Sequence, residues 1–463
     1  MRIALVRPDI GRLEHGPFDD RARMEPLALG VLSALTPPGD EPLLRDDRCA
    51  PLDYDEKVDL AAITVETFTA RRAYEIAAEY RARGVPVVMG GIHPTLIPDE
   101  AAAHADSICV GEAEPVWAAM VEDARAGSLK PVYRGGTGVP QVVPGACPLA
   151  LRACRDWPAG SGYLPLGLVQ FGRGCRYRCE FCAVSASSGA GHRARDVAEA
   201  AAEAAEALRP ASGFPGERRR KRSAVFFVDD NIVADRAAAK ELFRALVPLK
   251  LSWVSQASLD MLEDDELMGL MAESGCLGNV IGFESVDERN VRAMGKVANR
   301  GGGLERYQGY VEKLRSFGLQ TWAAFTLGHE YDTPESIREL LDFALRSTFA
   351  FAAFNVLMPY PGTLLYARLS EEGRLLYGGR WWLSPDYRFN HAAFVPRLMT
   401  PDQLTEAGLE CRRLFNSFPS ILSRAFGTRT NLRNLFRLGL ALSYGTLFRR
   451  EAFKKQGMLL GRS

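Results

Sequence analysis

Three cysteines within eight consecutive residues constrain this chain more than any other feature. Cys175, Cys179 and Cys182 have the spacing C-x3-C-x2-C, which can hold three thiolates in one loop. Such a triplet can bind three irons of a cubane cluster, whereas a closed electron-transfer site normally supplies four cysteines. No fourth cysteine follows within a short distance. One iron is therefore expected to stay open, and an open metal position usually binds a substrate or a cofactor.

Other uses of these cysteines fit the pattern less well. A disulfide framework is disfavoured because the chain is long and its nine cysteines are an odd and dispersed set. A zinc site would normally offer a fourth cysteine or histidine nearby. His192 lies ten residues after Cys182, so the spacing alone leaves zinc open.

Composition narrows the class of protein. A length of 463 residues predicts two or three domains with ample core. The chain is 47% hydrophobic and 25% charged, which is typical of a soluble globular protein, and its formal net charge of zero gives no indication of nucleic-acid binding. We find neither a signal-peptide pattern nor an apolar run of membrane-spanning length. We therefore expect a cytoplasmic, reducing location, which also keeps the cysteine thiols available.

The first 145 residues alternate between strand and helix patterns. Short apolar runs at 2–6, 60–65, 85–89 and 107–110 predict buried parallel strands, with helix patterns between them. This alternation predicts a doubly wound, Rossmann-like parallel sheet. Ligands of such sheets bind beyond the carboxyl ends of the strands.

The carboxyl ends of these strands carry glycines and polar residues. Glycine lets a ligand approach the backbone closely, although turns between strand and helix need glycine anyway. We take as candidate ligand contacts Thr64, Thr67, Gly90, Gly91, His93, Thr95, Gly111 and Glu112.

A second alternating region follows an irregular segment at 146–165, which has the composition of a linker. Strand patterns at 166–171, 224–228, 251–254, 280–283, 321–327 and 354–358 each end in polar residues. About six parallel strands predict a partial (β/α)6 barrel of the TIM type over 166–365, with its catalytic groups at the carboxyl ends. Residues 366–463 are expected to form a helical carboxyl-terminal region.

The barrel part resembles the radical S-adenosylmethionine (SAM) superfamily. The cysteine spacing is similar to the cluster loop of that family, and four strand ends follow its order: Phe-Phe-Val-Asp-Asp-Asn, Ile-Gly-Phe-Glu-Ser, Phe-Thr-Leu-Gly-His-Glu and Pro-Tyr-Pro-Gly-Thr. The resemblance implies a 4Fe-4S cluster on the three cysteines with SAM at the open iron. It places Phe181 against the cluster or the adenine, Glu284 as a polar contact to SAM, and Asp230 and Gln256 at the barrel mouth, near SAM or substrate.

The amino-terminal part resembles the cobalamin-binding domain that precedes many radical SAM barrels. The resemblance rests on the Gly-Gly-x-His-Pro-Thr loop and the Gly-Glu-x-Glu turn. None of the six histidines lies in the Asp-x-His-x-x-Gly motif of methionine-synthase-type domains. We therefore expect a bound cobalamin without a histidine lower ligand. His93, in the Gly-Gly-x-His-Pro-Thr loop, is the one histidine that could be considered as a cobalt ligand. Shaping the turn or contacting the cofactor tail is favoured over cobalt ligation.

Together the two resemblances imply reductive cleavage of SAM to a 5′-deoxyadenosyl radical and, with methylcobalamin as donor, methylation of an unactivated carbon or of phosphorus. Cyclisation, rearrangement or oxidation with the same cofactors stays open. A methylthiotransferase is disfavoured, because Cys49, Cys109 and Cys147 lack the flanks of a second cluster site. A cobalamin sensor without enzymatic activity is disfavoured by the intact cysteine triplet.

No motif names the substrate, which we expect to be a small molecule. The tail after Cys411 contains eleven Lys and Arg residues, one acid (Glu451) and several aromatic residues. This composition favours a hydrophobic substrate or peripheral membrane contact, although a helical cap on the barrel is the favoured interpretation. The basic run at 217–222 is best explained as a solvated loop. Reduction of a cluster also requires an electron donor such as flavodoxin or ferredoxin.

Overall fold

The computed structural model describes residues 1–13, 16–17, 23–136, 163–164, 166–189, 191–208, 224–301, 303–433 and 435–462. Almost all of the expected linker at 146–165, with Cys147, and the basic run at 217–222 lie outside the described residues. The domain boundaries at 145, 165 and 365 stay predictions.

The amino-terminal part forms a six-stranded sheet whose neighbouring strands all run parallel. Its strands are β1 Arg2–Arg7, β4 Glu41–Asp46, β5 Leu60–Thr64, β6 Val87–Gly90, β7 Ser107–Val110 and β8 Val132–Arg134. The order β4-β1-β5-β6-β7-β8 confirms the doubly wound sheet. The winding reverses between β1 and β5, and ligands of such sheets bind beside this switch point.

Two strands of this sheet, β4 and β8, are absent from the sequence prediction. Both lie at or near the edges: β4 contains Glu41, Arg45 and Asp46, and β8 ends at Arg134. A strand covered on both faces has a continuous apolar run, and these two do not have one. The prediction of four strands was therefore incomplete.

Helices cover both faces of the sheet. Helices α1 (Leu27–Leu35) and α5 (Trp117–Arg125) pack on one face and α2 (Ala70–Ala82) on the other. The face that carries α2 is also covered by Trp381, Trp382 and Tyr387 from the carboxyl-terminal region. The helices of this part are α1 Leu27–Leu35, α2 Ala70–Ala82, α3 Ile92–Leu96, α4 Pro98–Ala102 and α5 Trp117–Arg125.

A second six-stranded parallel sheet has the order β16-β15-β14-β13-β12-β9, the strict succession of a barrel with two open edges. The partial barrel is thus confirmed. In β15 the buried Ala323, Phe325 and Leu327 face the outer helices, and alternate residues face inward. The strands are β9 Leu166–Val169, β12 Ala224–Phe227, β13 Trp253–Ala257, β14 Cys276–Glu284, β15 Gln320–Leu327 and β16 Phe351–Val356.

An antiparallel hairpin of β10 (Gly172–Cys175) and β11 (Gly191–Ala194) follows β9 and carries the first cluster cysteine. The helices of the barrel region are α6 Ala183–Ser188, α7 Val197–Ala207, α8 Arg236–Leu246, α9 Asp265–Glu273, α10 Glu288–Ala293, α11 Leu304–Ser316, α12 Pro334–Arg346 and α13 Leu364–Glu371.

The carboxyl-terminal region is helical, as expected, and the last long helix packs on β16. The ring of Phe351 lies 5.4 Å from that of Phe448 and 5.9 Å from that of Tyr444. The helices are α14 Pro401–Phe415, α15 Phe418–Phe426, α16 Arg429–Leu432 and α17 Leu435–Lys455.

The chain then forms a short strand that the sequence did not predict. This strand, β17 (Leu459–Leu460), pairs with β2 (Gly11–Leu13), which in turn pairs with β3 (Gly16–Pro17). The end of the chain is thereby joined to its beginning. In the part of the chain that the structure describes, no helix is both long and apolar enough to cross a bilayer.

Candidate active site

Two neighbouring carboxylates hold the backbone that leads into the cysteine loop. Asp229 accepts hydrogen bonds from the N–H of Phe171, at 3.1 Å, and of Gly172. Asp230 accepts one from the N–H of Gly174 at 2.8 Å. Burial raises the pKa of Asp229 to about 7. The sequence-predicted residue Asp230 thus positions the loop, and its unpredicted neighbour Asp229 does so from a more buried place.

The three cysteines lie in one loop, and each is only partly buried and free of disulfides. The N–H of Cys182 donates to the carbonyl of Cys179 at 3.1 Å, and the amide nitrogen of Asn231 lies 3.8 Å from the sulfur of Cys175. Burial raises the pKa of the Cys179 thiol to about 11, and the nearby Lys296 opposes this rise. Accessible thiols in one loop beside a cation are a donor set that suits an anionic thiolate-bound cluster.

Among the described residues, no three metal-binding side chains converge closely enough to hold a single ion. A cubane instead takes each thiolate at a separate iron corner. His192, whose position in the sequence left a zinc site possible, lies in β11 opposite Gly174. An added Cβ on Gly172 would meet its imidazole and the carboxylate of Asp229, so His192 lies behind the loop beside Asp229.

A buried ion pair stands next to the cluster loop. The ammonium of Lys296 lies 2.5 Å from the carboxylate of Glu284. Burial opposes the charge on Lys296, but Glu284 and the Cys179 thiol outweigh it and raise the pKa of the ammonium. Glu284 ends β14 with a left-handed backbone (φ 61°), a conformation that strains a residue with a side chain. Such strain at a strand end is typical of a functional site.

The remaining barrel candidates surround this pair. Phe181 packs on the barrel core with its ring 6.2 Å from that of His329. The imidazole of His329 lies 2.7 Å from the hydroxyl of Thr326, and this hydroxyl lies 3.3 Å from Glu284. Burial lowers the pKa of His329 to about 3, so the ring is neutral. Gln256 is the exposed residue of β13 and faces the barrel interior.

A cleft of about 410 Å³ lies between the carboxyl edge of the amino-terminal sheet and the cluster hairpin. It continues between the sheet and helices α1 and α5, where its walls are apolar. The inner part of the cleft therefore suits an apolar group. The sequence-predicted residues that line it are Thr64, Gly90, Gly91, Thr95, Gly111, Glu112 and Asp230.

Two of the glycines are required by the backbone itself. Gly91 and Gly111 have positive φ angles of 105° and 87°. A Cβ on Gly91 would lie 2.8 Å from the carbonyl oxygen of Val65, and one on Gly111 would lie 2.7 Å from that of Gly135. These crowded turns need glycine with or without a ligand.

His93 and Thr67, two of the predicted cofactor contacts, do not line the cleft. His93 is fully buried, and its imidazole lies 3.1 Å from the hydroxyl of Tyr74 and 3.2 Å from Glu100. The other ring nitrogen lies 3.3 Å from the hydroxyl of Thr67. Because α3 begins at Ile92, the side chain of His93 turns into the core on the α2 face. No histidine is found among the described residues that line the cleft.

Ion pairs join the two sides of the cleft. Arg173 of β10 lies 2.8 Å from Glu114 and 3.4 Å from Glu112. Arg193 of β11 lies 2.5 Å from Glu112. The Gly-Glu-x-Glu turn of the amino-terminal sheet is thus tied to the hairpin that carries Cys175. The sequence indicated Glu112 but not its two arginine partners.

Several known proteins are similar in sequence to this chain over most of its length. Residues 169–344 match the radical SAM superfamily, and residues 46–121 match the B12 binding domain. The chain is 31% identical over 365 residues to the bacteriochlorophyllide d C-8(2)-methyltransferase of Chlorobaculum tepidum, covering 77% of this chain and 79% of that protein. This chain belongs to the cobalamin-dependent radical SAM enzymes.

The bacteriochlorophyllide d C-12(1)-methyltransferase of the same organism is 28% identical over 374 residues, covering 81% of this chain and 78% of that protein. The fold is shared with the radical SAM methyltransferase TsrM from Kitasatospora setae, solved with cobalamin and a 4Fe-4S cluster bound. The TM-score is 0.61 at 20% identity, over 80% of this chain and 78% of that one.

Membership of this family makes the chain an enzyme of the radical SAM methyltransferase group, with a 4Fe-4S cluster, SAM and cobalamin as its cofactors. Both bacteriochlorophyllide relatives are named as methyltransferases, so cyclisation, rearrangement or oxidation without methyl transfer is not favoured. SAM is one of its substrates.

Sequence reasoning missed several residues of this site. Lys296 follows Gly295 after a helix, where nothing local marks it, and it reaches Glu284 only through the barrel fold. Arg173 could have been suspected, because Gly-Arg-Gly-Cys places a charge inside an otherwise small-residue strand. Asp229, the deeper carboxylate of the Phe-Phe-Val-Asp-Asp-Asn strand end, is absent from the sequence prediction, which names only Asp230.

Proposed function

We propose that this enzyme transfers a methyl group to a carbon of a small hydrophobic molecule. The observation that supports this most is a single cleft that is lined by residues of both the amino-terminal sheet and the barrel part. The cleft-lining candidate cobalamin contacts form one wall. Arg173 of the cluster hairpin and Asp230, which follows β12, belong to the other. A methyl donor in this cleft would lie directly beside the radical-generating loop. The two relatives act on bacteriochlorophyllides, which supports a hydrophobic substrate.

In this proposal Cys175, Cys179 and Cys182 hold the cluster. When bound, the cluster supplies one electron that cleaves the carbon–sulfur bond of SAM. Glu284 and Lys296 offer an anion and a cation side by side, which suits the ammonium and carboxylate of the methionine part of SAM. Thr326 contacts Glu284 and holds its carboxylate in place.

The apolar residues around the pair exclude water. Phe181 closes the space between the cysteine loop and His329, and the neutral imidazole adds no charge near SAM. Excluding water protects a reactive carbon radical and strengthens the ion pairs that orient the reactants. Gln256 faces the interior at the barrel mouth and is proposed to contact SAM or substrate.

We further propose that the cleft-lining candidates Thr64, Gly90, Gly91, Thr95, Gly111 and Glu112 contact cobalamin. When bound, cobalamin supplies the methyl group. Thr95 is already fixed, since its hydroxyl donates to the carbonyl of Gly91 at 2.8 Å and accepts from the N–H of Gly111 at 3.0 Å. The chain thus presents a pre-formed rim of backbone and hydroxyl groups to the cofactor.

A reductant must reach the cluster. The exposed Arg178 lies in the cysteine loop itself and gives that surface a positive charge. Charge complementarity supports a small acidic electron-transfer protein, such as a flavodoxin or ferredoxin, as the donor. Such donors and free thiols both belong to a reducing compartment, which supports the cytoplasm.

The carboxyl-terminal helices carry an apolar stripe whose chemistry supports membrane contact. Leu414, Phe418, Leu422 and Phe426 recur at every fourth position, and each is between 44 and 58% exposed. The guanidinium of Arg449 lies 4.6 Å from the ring centre of Phe418. A basic surface with exposed aromatic residues fits an anionic bilayer, and we propose that this stripe rests on one.

The test is anaerobic purification with cobalamin supplied, followed by iron and cobalt counts and an assay of SAM cleavage. We expect four irons and one cobalt per chain, with release of 5′-deoxyadenosine. Variants with Cys175, Cys179 or Cys182 replaced by Ala should lose cleavage. Iron without cobalt would remove the methyl-transfer proposal, and cleavage retained without the three cysteines would remove the cluster assignment.

A further inference from the structure

A second cavity, about 290 Å³, lies at the open edge of the barrel beside β16 and shares no residue with the cobalamin cleft. We call it the lateral chamber. Its inner wall includes Val280, Trp322 and Ala353, from three successive barrel strands. Its outer wall includes Arg412 of α14 and Phe448 of α17. The carboxyl-terminal helices therefore close a space that the six strands leave open.

The lateral chamber reaches the level of the proposed SAM site. Asn355 lines the chamber and pairs in register with Thr326 of β15. Thr326 in turn contacts Glu284. Because residues paired in a parallel sheet point to the same face, the chamber ends in the layer that holds Glu284. A molecule in the chamber could present one end to the radical.

The walls of the chamber are mainly aromatic and aliphatic. Trp322 and Phe351 meet edge to face at 5.2 Å, and Phe351 also contacts Phe448. Phe389 adds a further ring from the connection to the last helices. Such walls bind an apolar, ring-bearing body, and polar groups among them fix its orientation.

One cation in the chamber has no carboxylate partner. Arg412 is only 7% exposed, and its guanidinium donates to the carbonyl of Phe354 at 2.7 Å and to the side-chain oxygen of Gln456 at 2.8 Å. Both acceptors are neutral, and the buried Nε–H of Arg412 has no acceptor among the described residues. Burial lowers the pKa of Arg412 to about 10. A buried charge without a counter-ion is costly, so an anion would be strongly stabilising here.

A second donor in the chamber also lacks an acceptor. The indole nitrogen of Trp322 is buried without a hydrogen-bond partner in the described structure. The other charged groups of the chamber, Lys455 and Glu451, pair with each other at 3.4 Å. Besides this ion pair and the neutral amides of Asn355, Asn390 and Asn416, the chamber is lined by Arg412 and Trp322, each with an N–H that lacks an acceptor among the described residues. These donors suit an anionic oxygen acceptor.

We propose that the lateral chamber binds the substrate, and that the substrate is a hydrophobic ring compound with a carboxylate held by Arg412. This inference rests on the proposed function, because it names the substrate class of the same reaction. A purely structural role for Arg412 would be to cap the edge strand β16 by donating to the carbonyl of Phe354. This role accounts for one nitrogen of the guanidinium. It does not account for the unpaired Nε–H or for the aromatic chamber around it.

The test uses two small probes of the same size, 2-naphthylacetate and the neutral 2-(2-naphthyl)ethanol. Equilibrium dialysis against the reconstituted enzyme should show binding of the carboxylate about tenfold tighter than that of the alcohol, which corresponds to about 1.4 kcal/mol. Arg412→Gln should abolish this preference and leave alcohol binding unchanged. Arg413→Gln, the same change at the exposed neighbour on α14, should keep the preference.

Ala353→Phe gives an independent check, because it fills the chamber without removing a polar contact. This variant should lose both probes by at least about tenfold while keeping its thermal transition. Equal binding of the two probes by the wild type, or carboxylate binding retained in a folded Arg412→Gln or Ala353→Phe variant, would overturn the inference. SAM cleavage in the same samples separates the two proposals: cleavage without probe discrimination removes only the chamber, and discrimination without cleavage removes only the proposed reaction.

Discussion

At the scale of single residues, the ion pair of Glu284 and Lys296 is expected to contribute both to the stability of the fold and to the binding of SAM. Both side chains are largely buried, so removing one leaves the other charge uncompensated. We expect Lys296→Met to lower the free energy of unfolding by about 3 kcal/mol and to weaken SAM binding at least about tenfold. Chemical denaturation and equilibrium dialysis with SAM measure the two effects.

The double variant Glu284→Gln with Lys296→Met separates these effects. It removes both charges, so most of the lost stability should return, because neutral replacements of a buried ion pair are often tolerated. SAM binding should stay weak, since neither complementary charge is present. Recovery of SAM binding together with stability would show that the pair has only a structural role.

His329 predicts a pH dependence of stability. The folded protein keeps this ring neutral down to about pH 3, whereas the unfolded chain takes up a proton as the pH falls through 6.5. The unfolded state thus binds more protons below pH 6.5, and stability falls as the pH is lowered. At pH 5.5 the loss from this residue is about 1.4 kcal/mol.

The measurement compares wild type with His329→Gln in urea denaturation between pH 7.5 and 5.5. Glutamine can still contact Thr326 but does not titrate. The difference in unfolding free energy between the two proteins should shrink as the pH falls. A constant difference over this range would mean that the ring is already protonated in the folded protein or does not titrate in the unfolded one.

At the scale of elements, the β10–β11 hairpin couples the cluster loop to the cobalamin side of the cleft. Arg173→Gln would leave Glu112 and Glu114 with weaker partners on the cleft wall. Loss of hydrogen bonds between charged groups costs about 1.5–3 kcal/mol, so cobalamin binding should weaken about tenfold. Cobalt per chain, counted after gel filtration, measures this.

The matched control is Arg178→Gln, which removes an exposed arginine from the same loop. It should leave the cobalt content unchanged, and both variants should retain their iron. Loss of iron in Arg173→Gln would instead show that the hairpin itself has come apart. Unchanged cobalt in this variant would contradict the coupling.

Strands with an apolar run could be predicted from the sequence, and strands without one could not. The six barrel strands have apolar runs because the outer helices bury at least one of their faces, and this includes β9 and β16 at the open edges. In contrast β4 contains Glu41 and Arg45, and the hairpin begins Gly-Arg-Gly, so neither has a strand-like apolar period. Contacts between distant segments leave no local trace, which is why Lys296 was missed.

At the scale of the whole molecule, the carboxyl-terminal region connects the parts of the enzyme. Trp381 and Trp382 pack against the amino-terminal sheet, and β17 adds to the small sheet with β2. Between them α17 turns one side to the lateral chamber, through Phe448, and lies against α15, which carries the apolar stripe. A hydrophobic substrate could thus pass from a membrane surface to the chamber around a single helix.

This arrangement predicts binding to anionic vesicles through the stripe. The wild type should sediment with vesicles containing phosphatidylglycerol and much less with pure phosphatidylcholine, and added salt should weaken binding by screening the cationic side chains. Phe418→Ser with Leu422→Ser should release the protein, since each buried side chain contributes about 1.5–3 kcal/mol. Leu398→Ser is the matched control, because Leu398 and Leu422 are each 51% exposed but only Leu422 lies in the stripe. Equal sedimentation of the stripe variant and the control would contradict membrane docking, and a change from dimer to monomer in the stripe variant would assign the stripe to a second copy of the chain.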